Sequence, residues 1–157
     1  MEQGNRGNLQ SRRLDHSPNV VQSVGALIYS TSTKRHLFLL RNGDKYAGSW
    51  GLAGGKVNQN ERIIEALYRE IEEEITINLS EKRAIPLETF TSENRKFVYY
   101  TFLVPVNSEF VPILNDEHRG YCWVRLQDHP KPLHPGVWKT FNFSVIINKI
   151  QMLESIL

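Results

Sequence analysis

Apolar positions recur with two different periods along this chain, and each period predicts a type of element. Short runs rich in β-branched and aromatic residues, bounded by polar turns, are typical of strands. The first run extends from Asn19 to Ile28, and the second covers His36 to Leu40 after a polar turn at Ser30 to Lys34. Further strands are predicted at Leu87 to Thr91, Lys96 to Val106 and Tyr121 to Leu126. The pattern therefore favours a multi-stranded sheet.

In two other segments, apolar residues recur with the period of an α-helix. The apolar stripe of the first consists of Ile64, Leu67, Ile71 and Ile75. Its start is marked by the capping-box-like pair Asn58 and Glu61, or by Asn60 as a simpler N-cap. The second segment, from Phe143 to Leu157, predicts an amphipathic helix that packs against the sheet.

Length and composition predict one folded domain, residues 19–157, preceded by a flexible polar tail, residues 1–18. The tail has too few apolar residues to offset its ordering entropy, whereas the whole chain of 157 residues is 40% hydrophobic and can bury a core. The first eighteen residues lack the apolar run of a signal peptide, and the sequence contains no apolar stretch long enough to cross a membrane. Because Cys122 is the single cysteine, no internal disulfide can form. We therefore expect a cytoplasmic protein without membrane contact.

Three glutamates concentrate negative charge on part of the first predicted helix. At 100° per residue, Glu70, Glu73 and Glu74 project within an arc of about 100°, whereas Glu72 points elsewhere. A Glu-rich face is ordinarily solvated surface. Here the three carboxylates would repel one another unless a cation lies among them, and such hard oxygen donors suit Mg²⁺, with Mn²⁺ as a substitute.

The surrounding segment, Gly55 to Ile77, adds a specific pattern to these carboxylates. It resembles the Nudix box, G-x5-E-x7-R-E-U-x-E-E-x-G-U with U aliphatic, at eight of nine defined positions. The exception is Thr76, which occupies the place of a glycine suited to a left-handed helix end, so the helix is expected to end differently. Just upstream, Leu52-Ala53-Gly54-Gly55 replaces the common Leu-Pro-Gly-Gly.

The resemblance implies the α/β Nudix fold, an α/β/α sandwich around a mixed β-sheet. It also implies that the carbonyl of Gly54 and the carboxylates of Glu70, Glu73 and Glu74 bind the metal. Arg69 would orient a glutamate, and Glu61 would have a mainly structural role. Together these residues would support the attack of a metal-activated water on phosphorus.

Residues outside the box complete the predicted site. Glu117, in the acidic segment before the last predicted strand, is the candidate general base or additional metal ligand, although Asp and Asn also favour ordinary turns. Arg41 and Lys56 are candidates to bind substrate phosphates. Aromatic residues able to stack on a base are Tyr46, Phe97, Tyr99 and Trp138, but aromatics of this kind more often lie in a core.

Three functions are compatible with these observations. The first is hydrolysis of a pyrophosphate bond in a nucleoside triphosphate, a nucleotide sugar such as ADP-ribose, or a dinucleoside polyphosphate. The second is hydrolysis at the 5′ end of RNA, supported only by the basic tail and a net charge of +2. The third, a non-catalytic Nudix-fold module that binds nucleotides, is disfavoured because all box glutamates are retained. The sequence leaves the oligomeric state open, and a homodimer is compatible with it.

Overall fold

A computed structural model of the chain describes residues 20–43 and 45–157, so the predicted tail lies outside the described residues. The strands are β1 (Val21–Ser30), β2 (Arg35–Arg41), β3 (Trp50–Gly51), β4 (Ala53–Lys56), β5 (Ile85–Thr91), β6 (Phe97–Val106) and β7 (His118–Val124). The helices are α1 (Ile63–Ile75), α2 (Pro135–Phe141) and α3 (Ser144–Ile156), with a short 3₁₀ helix at Leu126–Asp128.

The strands form one mixed sheet built around β1. Along its whole length β1 pairs in parallel with β6, and it pairs antiparallel with β2 and β4. The strand order is β3-β2-β1-β6-β5, with β7 added to β2. Because β1 is flanked on both sides, its residues are buried from Ser23 to Ser30.

Alternate residues of β1 face two separate apolar cores. Val24, Ala26 and Ile28 pack with the buried side of α1. Leu27 and Tyr29 point to the opposite face, where they pack with residues of α2 and α3. This period of two places helices on both faces of the sheet. The predicted α/β/α sandwich around a mixed sheet is therefore confirmed.

Helix α1 begins later than predicted. Its N-cap is Arg62, which makes no side-chain capping bond, and Ile64 is 40% exposed rather than part of the core stripe. The buried residues of the helix are Ala66, Leu67, Ile71, Glu74 and Ile75. Glu61 still accepts a hydrogen bond from the backbone N–H of Asn58 at 3.0 Å, but this bond lies within the preceding loop.

The predicted C-terminal helix is confirmed as α3, and a short helix that was not predicted, α2, precedes it. The short helix α2 starts at Pro135, where the fixed φ of proline suits a first helical position. His134 caps it, since its Nδ1 accepts the N–H of Gly136 at 3.0 Å. None of the helices in the described ranges is long and apolar enough to span a membrane.

Candidate active site

Glu74, on the last turn of α1, is a buried carboxyl at the centre of the candidate site. It is 2% exposed, and its Oε1 accepts the backbone N–H of Gly54 at 2.6 Å. Burial raises the pKa of Glu74 to about 9; the Gly54 bond opposes this shift, and the negative charges of Glu117 and Glu70 add to it. A carboxyl in such surroundings favours binding a proton or a cation.

Glu117, just before β7, and His118, its first residue, lie next to Glu74. Nδ1 of His118 lies 3.3 Å from Oε2 of Glu74, and one ligand atom from each of Glu74, Glu117 and His118 lies within 4.8 Å of the other two. His118 is buried, and within the described part of the chain neither ring nitrogen has a hydrogen-bond partner. Burial and the positive charge of Arg41 lower the pKa of His118 to about 4. The imidazole is therefore neutral near pH 7 and keeps an unshared electron pair.

The end of α1 fixes the loop that carries Glu117. The carbonyls of Glu74 and Ile75 accept the N–H groups of Asn115 and Ile113 at 3.1 and 3.2 Å. Thr76 adds a hydroxyl bond to the Ile113 carbonyl at 2.9 Å. These bonds satisfy carbonyls that a helix end leaves without intrahelical partners. They also hold the loop so that Glu117 lies beside the helix. Its predicted position, before a strand at this edge of the sheet, requires the same proximity.

Thr76 occupies the left-handed conformation that the family glycine would adopt, with φ 57° and ψ 45°. Its N–H bonds to the carbonyl of Glu72, so the helix ends in the usual way despite the β-branched side chain. The expectation of a different helix end is wrong. The hydroxyl bond to Ile113 offsets part of the cost of this conformation.

Arg69 organises the other glutamates of the box. Its Nε and Nη2 bond to the two carboxylate oxygens of Glu61 at 2.7 and 2.9 Å. Its Nη1 lies 2.9 Å from Glu70 Oε1 and 3.2 Å from Glu73 Oε2. The Arg69 bond lowers the pKa of Glu61, whereas burial raises that of Glu70. One guanidinium thus joins the loop to the helix.

The glycine pair allows helix and sheet to approach closely. A Cβ on Gly54 would lie 2.0 Å from the carbonyl oxygen of Val24, and one on Gly55 would lie 2.5 Å from Cδ of Glu70. The backbone contact at Gly54 excludes a side chain there, whereas a side chain at Gly55 would displace the Glu70 carboxylate. The pair therefore places the Gly54 N–H against Glu74 and leaves room for Glu70.

These side chains fit a divalent cation. Among the described residues, no lysine or arginine forms an ion pair with Glu74 or Glu117, although the two carboxyls approach each other and the unpartnered His118 nitrogen. Uncompensated negative charge of this kind suits a metal ion. The predicted ligands Glu70 and Glu73 form ion pairs with Arg69, and Glu73 is half exposed. Their role as metal ligands stays a prediction.

The two candidate phosphate-binding residues differ in their placement. Arg41 ends β2 opposite His118 in β7, and its charge contributes to lowering the pKa of both His118 and His134, for which burial is the larger cause. Arg41 therefore lies within electrostatic range of both the carboxylate cluster and the start of α2. Lys56 is exposed, and its carbonyl accepts a bond from Arg69 at 2.9 Å.

An apolar pocket lies on the opposite face of the sheet, between β5, β6 and α2. Its empty space, including the open side, is about 760 Å³. Leu27, Leu52, Phe90, Phe97, Tyr99 and Val137 are among the residues that line it. Burial raises the pKa of Tyr99, and the nearby Glu74 carboxylate adds to this. The inner end of the pocket is therefore within electrostatic range of the carboxylates.

Sequence reasoning did not assign this pocket or the contact of His118 with Glu74. Of the four aromatics considered for base stacking, Phe97 and Tyr99 line the pocket, whereas Trp138 is 61% exposed and lies outside it. Tyr46 packs edge-on against His134, a lining residue, with ring centroids 4.8 Å apart. The alternation Phe97, Tyr99, Thr101 along one strand face was the available signal.

Comparison with known proteins agrees with this geometry. The family model described as NUDIX domain matches residues 20–142. Nucleoside triphosphatase NudI of Escherichia fergusonii is 32% identical over 95 residues, 53% of this chain and 66% of the relative. The protein of the same name from Salmonella arizonae is 32% identical over 93 residues, with the same shares covered. The match thus spans just under two thirds of the length of these relatives.

Solved structures show the same architecture. A MutT NUDIX hydrolase from Burkholderia pseudomallei has 32% identity and a TM-score of 0.65, covering 76% of this chain and 93% of its own. An Ap4A hydrolase from C. elegans has a TM-score of 0.63 and 21% identity, covering 85% of this chain and 98% of its own, which is a likeness of fold alone. With the matched domain extending over most of its length, this chain belongs to the NUDIX family.

Proposed function

We propose that the protein hydrolyses a pyrophosphate bond in a nucleoside diphosphate derivative, with nucleoside triphosphates as the first candidates. One observation carries the proposal: a cluster of Glu74, Glu117 and His118, in which Glu74 and His118 are buried, lies within electrostatic range of a pocket lined by aromatic and aliphatic side chains. The similarity to relatives named nucleoside triphosphatase supports the same choice.

The substrate would extend from the pocket to the carboxylates. Phe97 and Tyr99 offer ring faces on which a base can stack, and the lining is mainly apolar. Arg41, between the cluster and α2, would bind the phosphates by charge-assisted hydrogen bonds, with Lys56 as a second, exposed cation. The base and the scissile phosphates would then lie on opposite sides of Tyr99.

The box residues would hold Mg²⁺, for which Mn²⁺ could substitute, through Glu70, Glu73, Glu74, Glu117 and the carbonyl of Gly54. When bound, the cation supplies charge neutralisation and acidifies a coordinated water. Glu117 would accept the proton from the attacking water, because it is exposed and adjacent to the buried Glu74. Arg69 would keep Glu70 and Glu73 in place through its bonds to Glu61.

A nucleotide panel tests the proposal. Nucleoside triphosphates, ADP-ribose, a dinucleoside polyphosphate and a 5′-triphosphate RNA are each incubated with Mg²⁺ in ¹⁸O-labelled water. Chromatography identifies the products, and mass spectrometry shows which phosphate carries the label. Hydrolysis of nucleoside triphosphates that is lost in Glu74→Gln and on chelation is the expected result. Turnover of the RNA alone, or of none of these compounds, would contradict the proposal.

A further inference from the structure

The side chain of Glu88 lines the apolar pocket, and a β-bulge in β5 places it there. The pairing of β5 with β6 shifts between Pro86 and Glu88, so that Leu87 is an extra residue in the strand. Glu88 then pairs with Thr101, and Phe90 with Tyr99. All four of these side chains line the pocket together with Leu87. Without the bulge, strict alternation would turn Glu88 away from the face that Leu87 occupies.

Glu88 is held in this position by Thr140 of α2. The Thr140 hydroxyl lies 2.7 Å from Oε1 of Glu88 and 3.1 Å from the carbonyl of Gly136. Thr140 is itself buried. Among residues 20–43 and 45–157, no hydrogen bond or ion pair involves Oε2 of Glu88. The neighbouring cation, Lys139, lies with its Nζ 4.3 Å from the centre of the Phe90 ring. One carboxylate oxygen thus remains able to accept hydrogen bonds from a ligand.

We propose that Glu88 determines base specificity by accepting the N1–H and 2-amino protons of guanine; this inference rests on the proposed function. An ionised carboxylate only accepts hydrogen bonds, so it pairs with an edge that presents two adjacent donors. Guanine has such an edge. Hypoxanthine lacks the amino group, and uracil presents carbonyl oxygens on both sides of its single N–H.

The same carboxylate sets the direction in which the nucleotide enters. Its negative charge disfavours phosphate beside Glu88, where Lys139, the one cation among the described residues that line the pocket, lies over the Phe90 ring. Arg41, in contrast, lies within electrostatic range of His118 in the carboxylate cluster. Charge therefore places the base against Glu88 and the phosphates toward Glu74. A ligand in the opposite direction would place two negative groups together in mainly apolar surroundings, which is costly.

The test compares kcat/KM for GTP, ITP, ATP, CTP and UTP. GTP and ITP differ only in the 2-amino group, so we expect the wild type to favour GTP by about tenfold or more, the effect of one hydrogen bond to a charged group. Glu88→Gln keeps the shape of the side chain and its acceptor for Thr140. It is expected to reduce the GTP/ITP ratio to within about threefold, chiefly through loss of GTP turnover. Thr140→Val, which removes the orienting hydroxyl, should lower the ratio in the same direction.

Glu81→Gln is the matched control, because Glu81 is an exposed glutamate that does not line this pocket. It should leave all five values unchanged. A purely structural role of Glu88 would lower all five alike in Glu88→Gln, and that result would overturn the inference. Equal turnover of GTP and ITP by the wild type would also overturn it while leaving the proposed function intact. Hydrolysis of none of the five would overturn the inference, and the proposed function would fall with it only if ADP-ribose and the dinucleoside polyphosphate were not hydrolysed either.

Discussion

Individual glutamates of α1 differ greatly in their surroundings although they are neighbours in sequence. Glu73 is more than half exposed and is held by Arg69, whereas Glu74 is buried between Gly54 and His118. Because burial penalises the charged form, the pKa of Glu74 is raised to about 9.

The metal-free protein should lose stability as the pH rises from about 7 to 8.5. Over this range His118 is mostly neutral in the folded and in the unfolded chain. Glu74, whose pKa in the folded chain is about 9, keeps its proton there and loses it in the unfolded chain. The folded state then binds more protons, so the free energy of unfolding falls with pH, by at most about 1.4 kcal/mol per pH unit. Urea unfolding in chelator measures this, and Glu74→Gln should show a weaker dependence. Equal slopes in the two proteins would contradict it.

Replacing either Glu73 or Glu74 by glutamine should lower kcat by about 10²-fold or more, since each change removes a charge facing the metal. Circular dichroism checks that the variants remain folded. Glu72→Gln is the matched control on the same helix, because Glu72 is exposed and forms no side-chain contact with the described cluster. Near-wild-type turnover in both active-site variants would remove the basis for the metal assignment.

Glu117→Gln should lower kcat across the pH range, because Glu117 is the proposed base and lies within 4.8 Å of its neighbours in the cluster. The neighbouring change Asp116→Asn controls for the general loss of negative charge from the loop. Rate measurements from pH 6 to 9 decide the matter. If kcat is unchanged throughout, the base must be one of the box glutamates instead.

Among the elements, the junction between α1 and the loop before β7 has the clearest energetic consequence. Thr76→Val keeps the β-branched shape in a left-handed conformation but removes the hydroxyl bond to Ile113. Thr76→Gly also loses this bond but relieves the conformational cost of the left-handed region. We therefore expect Thr76→Val to be less stable than Thr76→Gly by about 1–2 kcal/mol, measured by chemical unfolding. Equal stability would show that the threonine conformation carries no cost.

Elements whose side chains are related by a regular period could be predicted from the sequence. Glu70, Glu73 and Glu74 share one helix, so their spacing predicted that they project to one side, while the resemblance to the Nudix box implied their role as metal ligands. The pocket could not be predicted in this way, because it combines β1, β5, β6 and α2, and their relative positions depend on tertiary packing. The bulge at Leu87 also interrupts the regular alternation of strand side chains, so the direction of the Glu88 side chain could not be predicted from that alternation.

In the molecule as a whole, a polar contact joins the last helix to the sheet in addition to their apolar packing. His36, fully buried in β2, has its Nε2 2.9 Å from Oε1 of Glu154 in α3, while its Nδ1 has no partner among the described residues. Glu154→Ala would leave both nitrogens of a buried ring without partners, so we expect a loss of about 1–3 kcal/mol. Gln151→Ala, an exposed change on the same helix, is the control. Thermal unfolding that does not distinguish the two variants would contradict this expectation.

The sheet would separate the two proposed tasks of the molecule, catalysis and substrate selection, since α1 covers one face and the pocket opens on the other. Substitutions at pocket positions such as Phe90 or Val137 therefore lie on elements that contribute nothing to the carboxylate cluster. A lineage could exchange one substrate for another through such changes while its chemistry stays intact. The same separation suits laboratory evolution, in which a library confined to β5 and α2 would explore new substrates without sacrificing turnover.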